Sequence, residues 1–114
     1  MKFSFLHGNK EILLDLRQEK GLMRGIGLIF KTKNTENLLF EFRKPSKVAI
    51  TSLFVFFPFL AVWLNEKKEV IEVRKITPFK LSITPKHDSK YLIEIPLNSS
   101  NLKLVESLYS AVAD

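Results

Sequence analysis

Two histidines, His7 and His87, carry all the imidazole in this sequence, and cysteine is absent. Thiol nucleophiles, disulfides and thiolate metal sites are therefore excluded. His87-Asp88-Ser89 spells the residue types of a hydrolase triad. A working triad, however, converges from separate elements, and adjacent residues cannot orient one another in that way. The tripeptide reads as a turn. His7 stands beside Gly8 in HGNK, at a presumptive hairpin tip, and reads as a solvated turn residue. Asp15 and Glu19 are four apart, which would pair two carboxylates on a helix, but Asp15 closes a strand-like segment and that spacing argument does not apply. Gly21, Gly25 and Gly27 in GLMRGIGL lack the lysine followed by serine or threonine of a phosphate-binding loop. They read as tight turns or close backbone approaches. No catalytic residue, metal site or cofactor is expected, and the reading leans away from an enzyme.

The elements that would position any site are mainly extended. KFSFL and EILLDL flank His7-Gly8-Asn9-Lys10 and read as a hairpin with glycine at the turn. ENLLFEF (36–42) reads as a further strand. EVIEVRKIT alternates around a polar turn at Asn65–Lys68 and reads as a half-buried strand with one wet face. YLIEIPL alternates too, which places Glu94 opposite Ile93 and Ile95. Arg17–Met23 reads as a short helical turn weakened by Gly21. The tail reads as a helix over about 100–112, capped by Ser99 or Ser100, with Leu104, Leu108 and Ala111 or Val112 at helical spacing. The stretch from Pro78 to Lys90 reads as the most mobile loop.

VAITSLFVFFPFLAVWL (48–64) is the most apolar stretch. Its 17 residues reach only the lower end of what a spanning helix needs. Pro58 would break such a helix, the residues are mostly β-branched or aromatic, and positive charge flanks both ends alike. It reads as two buried strands meeting at Pro58. Altogether the expectation is a mainly β fold: an antiparallel sandwich or barrel-like domain with a helical turn near 17–23 and a C-terminal helix, in a single domain over 1–114.

The net charge of +6 suits nucleic acid or an anionic surface, and equally a solvated mixed surface. Phe54, Phe56, Phe57, Phe59 and Trp63 would line a pocket, or stack on bases if they surfaced near Arg43 and Lys44, which with Lys47 form a candidate basic patch. MKFSFLHGNKE is too short in apolar residues for a signal peptide, so a cytoplasmic setting is the expectation.

Read in order, GLMRG, LLFEF, SLFVFFPFLAVWLNEKKEVIEV, ITPFK and YLIEIP resemble the family known as domain of unknown function 192, over about 16–96. The resemblance implies a compact, mostly β domain with short helices and no established activity. It carries over Gly21, Leu22, Met23, Pro58, Pro78, Phe79 and Glu94, mainly as architectural positions, with Glu94 the polar exception. Departures are that Thr51–Val55 replaces a Trp-x-Lys-Asn-Thr stretch, Leu60 replaces an aspartate, and Asn65 replaces a later acid.

The function expected is binding without chemistry, with another protein or a small apolar ligand as partner, because no catalytic constellation is present and aromatics are in surplus. Nucleic-acid binding through the basic residues is the alternative, and an enzyme using Glu94 or His87 as acid or base is a third reading.

Overall fold

The structure, a computed structural model, describes residues 1–19, 28 and 31–113. Strands β1 (Lys2–His7) and β2 (Lys10–Asp15) pair antiparallel in a two-stranded sheet, with His7 opposite Lys10. Gly8 has φ +63° and Asn9 has no positive φ, the pattern of a two-residue type II′ turn that glycine enters without strain. The second sheet has five strands in the order β3-β4-β7-β5-β6. These are β3 (Arg17–Glu19), β4 (Leu38–Ser46), β5 (Phe59–Leu64), β6 (Val70–Ile76) and β7 (Ser89–Pro96). All pairings are antiparallel except β3 with β4, which run parallel. The fold is mainly β with one C-terminal helix, α1 (Leu102–Ala113), and the sheets do not close into a barrel.

Both faces of the five-stranded sheet are covered. On one face Leu60, Val62 and Leu64 of β5 and Ile93 and Ile95 of β7 pack against Phe3, Phe5 and Ile12 of the hairpin and Leu108 of α1. On the other, Phe59, Ala61 and Trp63 join Phe40, Phe42 and Leu92 beneath Ile50, Val55 and Phe57. Successive β5 residues thus serve opposite cores, which is why FLAVWL reads as an unbroken apolar run. Leu104, Val105 and Tyr109 bring the helix onto the first core, as the spacing of Leu104 and Leu108 requires.

Several expectations are corrected. Arg17–Glu19 is a strand, not a helical turn; a parallel partner in β4 is available there, and three half-buried polar residues add little helical preference. Lys20 to Met23 lie outside the described residues. Val48–Phe57 is not a strand: apart from one bridge, Ile50 with Ile83, it is irregular. The strand order gives the reason. β7, last in sequence, sits between β4 and β5, so the chain leaving β4 must cross over the sheet face to reach β5. Its Val55 and Phe57 side chains then face a core without a ladder partner. Pro58 marks the end of that crossing, not a joint between two strands. The helix end is prepared by Asn98 and not by Ser99 or Ser100: its side chain accepts from the Asn101 backbone N–H at 3.0 Å, opening a 3-10 turn over Ser99–Asn101. Pro78 to Lys90 is a loop only as far as Ser89, where β7 begins.

The polar turn after β5 is as expected. Asn65 Oδ1 accepts from the N–H groups of Lys67 (2.9 Å) and Glu69 (3.0 Å), and Lys68 takes φ +63°. The acceptor oxygen an acid would offer at position 65 is therefore retained.

Among the described residues, no helix is long and apolar enough to cross a membrane.

Candidate interaction surface

Glu94 is only 3% exposed, on the face of β7 that it shares with Leu92. Its register neighbours are Leu38 on β4 and Ala61 on β5. The alternation of YLIEIPL places Glu94 opposite Ile93 and Ile95, and the structure keeps that division, with the isoleucines in one core and Leu92 in the other; β7 is the central strand, and both of its faces are covered at Glu94. Burial first, and then the nearby Glu19 carboxylate, push the Glu94 carboxyl up to about 8. Glu19 itself is held by Arg17 at 2.7 Å. The same face holds Trp63, whose buried Nε1–H has no hydrogen-bond partner among the described residues. Arg74 lies 5.7 Å from the Trp63 ring and bonds Glu72.

The acid–base candidates His87 and Glu94 do not come together. His87 and Asp88 are exposed and precede β7, whereas Glu94 lies five residues along it, roughly 17 Å from its start. Ser89 is buried, and its Oγ–H reaches the Ser46 carbonyl at 3.5 Å. Asp15 belongs to the two-stranded sheet, where the hydrogen bond from Lys2 holds its carboxyl below the ordinary range, while Glu19 belongs to the other sheet. Among the described residues, no three His, Asp or Glu side chains gather as metal ligands do.

What the fold does assemble is an apolar tip. The segment entering β5 and the segment leaving β6 meet at the Pro96 end of β7, because Phe59 pairs with both Pro96 and Ile76. Ser52 ties them together. Its Oγ–H donates to the Thr77 carbonyl at 2.7 Å and its Oγ accepts from the Lys80 N–H at 2.9 Å. Its backbone N–H donates to the Lys80 carbonyl (2.9 Å), and its carbonyl accepts from Phe79 (2.7 Å) and Val55 (3.1 Å). Around this buried serine project Leu53, Phe54, Phe56, Phe79 and Leu81, exposed by between 37% and 76%. Phe56 and Phe79 meet edge to face with centroids 5.6 Å apart. Phe79 takes φ +68°, a left-handed conformation that costs a bulky residue on the order of 1 kcal/mol or more. An aromatic ring held in water by a strained backbone has no folding rationale.

Replacing Ser52 by alanine leaves the Thr77 carbonyl and the Lys80 N–H without their partner in the buried Ser52 hydroxyl, and a loss of about 2 kcal/mol is expected in urea unfolding. Thr51→Ala, which removes a hydroxyl bonded to the Lys80 carbonyl at an exposed site, should cost well under half of that. Ser52 was not singled out from sequence. The available signal was a hydroxyl inside an apolar run, which must find partners if buried.

Of the carried-over positions, Gly21, Leu22 and Met23 lie outside the described residues. Pro58 and Pro78 are half-buried and frame the tip, with the Pro58 carbonyl accepting from Leu97 at 3.1 Å. Arg43, Lys44 and Lys47 are exposed, but β4 runs antiparallel to β7, so they lie towards its Ser89 end. The basic stretch and the aromatic tip therefore sit at opposite ends of the sheet and form no common surface.

A polar cleft of about 430 Å³ opens beside Asp15, Glu36, Asn37 and Asn101. The two amides at its base already satisfy each other at 3.0 and 3.3 Å, and Asn101 also donates to the Pro96 carbonyl.

Residues 10–106 match the model of DUF192, described as "Uncharacterized ACR". None of the curated proteins matches the chain. A protein of unknown function from Novosphingobium aromaticivorans DSM 12444 is similar in structure, with a TM-score of 0.69 at 14% identity over 89% of this chain and 76% of that one. A Sinorhizobium meliloti 1021 protein with the provisional label of transcription regulator gives a TM-score of 0.65 at 14% identity over 83% and 75%. At such identities the likeness concerns the fold alone.

Proposed function

The chain belongs to the DUF192 family, and within that frame we propose that it is a binding module without chemistry of its own, whose contact surface is the aromatic tip built on Ser52. The observation that carries this reading is Phe79: a large apolar side chain, 59% exposed, kept in a left-handed backbone conformation and braced against exposed Phe56. Stability alone would favour glycine or asparagine there.

The test is site-specific photo-crosslinking with benzoylphenylalanine at position 56 and, as control, at Leu13, which is 64% exposed on β2. Discrete adducts at 56, absent at 13 and lost when Phe79→Asn is added, are expected. Asparagine tolerates positive φ, so this variant removes the ring while leaving the loop conformation accessible, and its melting temperature should not fall. Equal labelling at the two positions, or adducts indifferent to Phe79→Asn, would sink the reading.

A further inference from the structure

Resting on the tip as a contact surface, we infer that its partner is the interface of an anionic lipid bilayer, into which Leu53, Phe54, Phe56, Phe79 and Leu81 dip. Three features point there. The first is distribution. Among the described residues eight large hydrophobic side chains are markedly exposed, and five of them fall on these two neighbouring segments. A patch so concentrated is a docking feature and not the scattered exposure of an ordinary surface.

The second is the backbone. Apolar insertion removes water from N–H and C=O groups, so a segment that dips into lipid must satisfy them internally. The tip does this. Phe79, Lys80, Val55 and Ser52 N–H groups and the Thr77, Ser52 and Lys80 carbonyls are engaged within the two segments, and the Leu53 N–H is met by Thr51 Oγ1 at 3.2 Å. A protein that added a strand to this loop would need those groups free. Here they are closed off, which favours a partner that supplies only apolar depth.

The third is charge. The segments 50–58 and 77–85 contain Lys80 and no acidic residue, in a chain of net charge +6. Lys80 directly follows Phe79 in the tip and is exposed. With the rings in the acyl boundary, its ammonium would lie at the level of lipid phosphates and its stem along apolar surface. An acid at the tip would oppose such contact with an anionic leaflet, and none is there.

The experiment is flotation of the full chain with phosphatidylcholine vesicles, with and without phosphatidylserine. Wild type is expected to float with both, and more strongly when phosphatidylserine is present. Phe79→Asn and Phe56→Ser should each weaken the association about tenfold or more. Lys80→Glu should remove the preference for phosphatidylserine, and Leu13→Ser should change nothing. Melting temperatures of all variants, followed through the buried Trp63, separate lost binding from lost folding. Absence of flotation, or equal weakening by Phe79→Asn and Leu13→Ser, overturns the lipid assignment. Absence of flotation together with a protein adduct at position 56 overturns the lipid assignment alone and leaves the contact surface standing. Absence of both overturns both.

Discussion

Replacing Glu94 by glutamine abolishes most of the pH dependence of stability between pH 5 and 8. In the wild-type chain the carboxyl is pushed up to about 8 when folded, against an ordinary value of 4.5 when unfolded. Below the lower value both states hold the proton and burial carries no ionic penalty. As pH rises, the unfolded chain releases the proton while the folded one retains it, so stability falls by about 1.4 kcal/mol per pH unit. By pH 7 the accumulated loss is about 3 kcal/mol, and above pH 8 it levels off near 5 kcal/mol. Glutamine keeps the shape of the side chain and has no proton to lose. Its own buried amide costs about 1 kcal/mol at all pH values, so the variant should become more stable than wild type above roughly pH 5.5. Urea unfolding followed by Trp63 fluorescence across this range measures the difference. Parallel profiles for the two proteins would mean that Glu94 is ionised inside the fold, and the account of its burial would be wrong.

The second large effect concerns the position where the family resemblance implies an aspartate. Leu60→Asp is expected to destabilise the chain by about 4 kcal/mol or more at neutral pH. Leu60 has no exposed surface and lies between Val62 and Ile95 in the core shared with the hairpin and helix. Loss of the leucine alone costs about 3 kcal/mol. Burial of a carboxyl in its place adds desolvation, and the nearest register partner with a charge, Lys75 on β6, is exposed and gains little by surrendering its hydration. Acidification should restore part of the loss, because the protonated acid is the cheaper form to bury. Leu60→Met, which conserves volume, should cost less than about 1.5 kcal/mol. A loss under about 1 kcal/mol for Leu60→Asp would show that this core accommodates the acid and that the substitution is not a departure in physical terms.

Both effects arise at residues whose types were plain in the sequence and whose surroundings were not. Glu94 sits in an alternating run, and alternation predicts one wet face. That inference suits an edge strand such as β6, where Glu72, Arg74 and Lys75 keep partial or full exposure. It fails for β7 because β4 and β5 flank it and both faces of the sheet are roofed. Strand composition reports preference for a pleat; it says nothing of what lies above it. The same holds for 48–57, whose aromatic and β-branched content is that of a strand, yet whose task is to cross from one side of β7 to the other.

What the sequence by itself determined is local. Gly8 set the first hairpin, Asn65 the second, Leu104 and Leu108 the buried face of the helix, and the absence of cysteine excluded a whole class of chemistry. Each of these depends on residues within one turn or a few positions of one another, where backbone geometry and side-chain period act directly. The tertiary structure alone decided that Glu94 is buried, that Ser52 knots two segments and that Phe79 and Phe56 meet in water. Those outcomes depend on β7 inserting between β4 and β5, and such long-range pairing is an energetic choice of the whole chain, for which no short stretch carries the instruction.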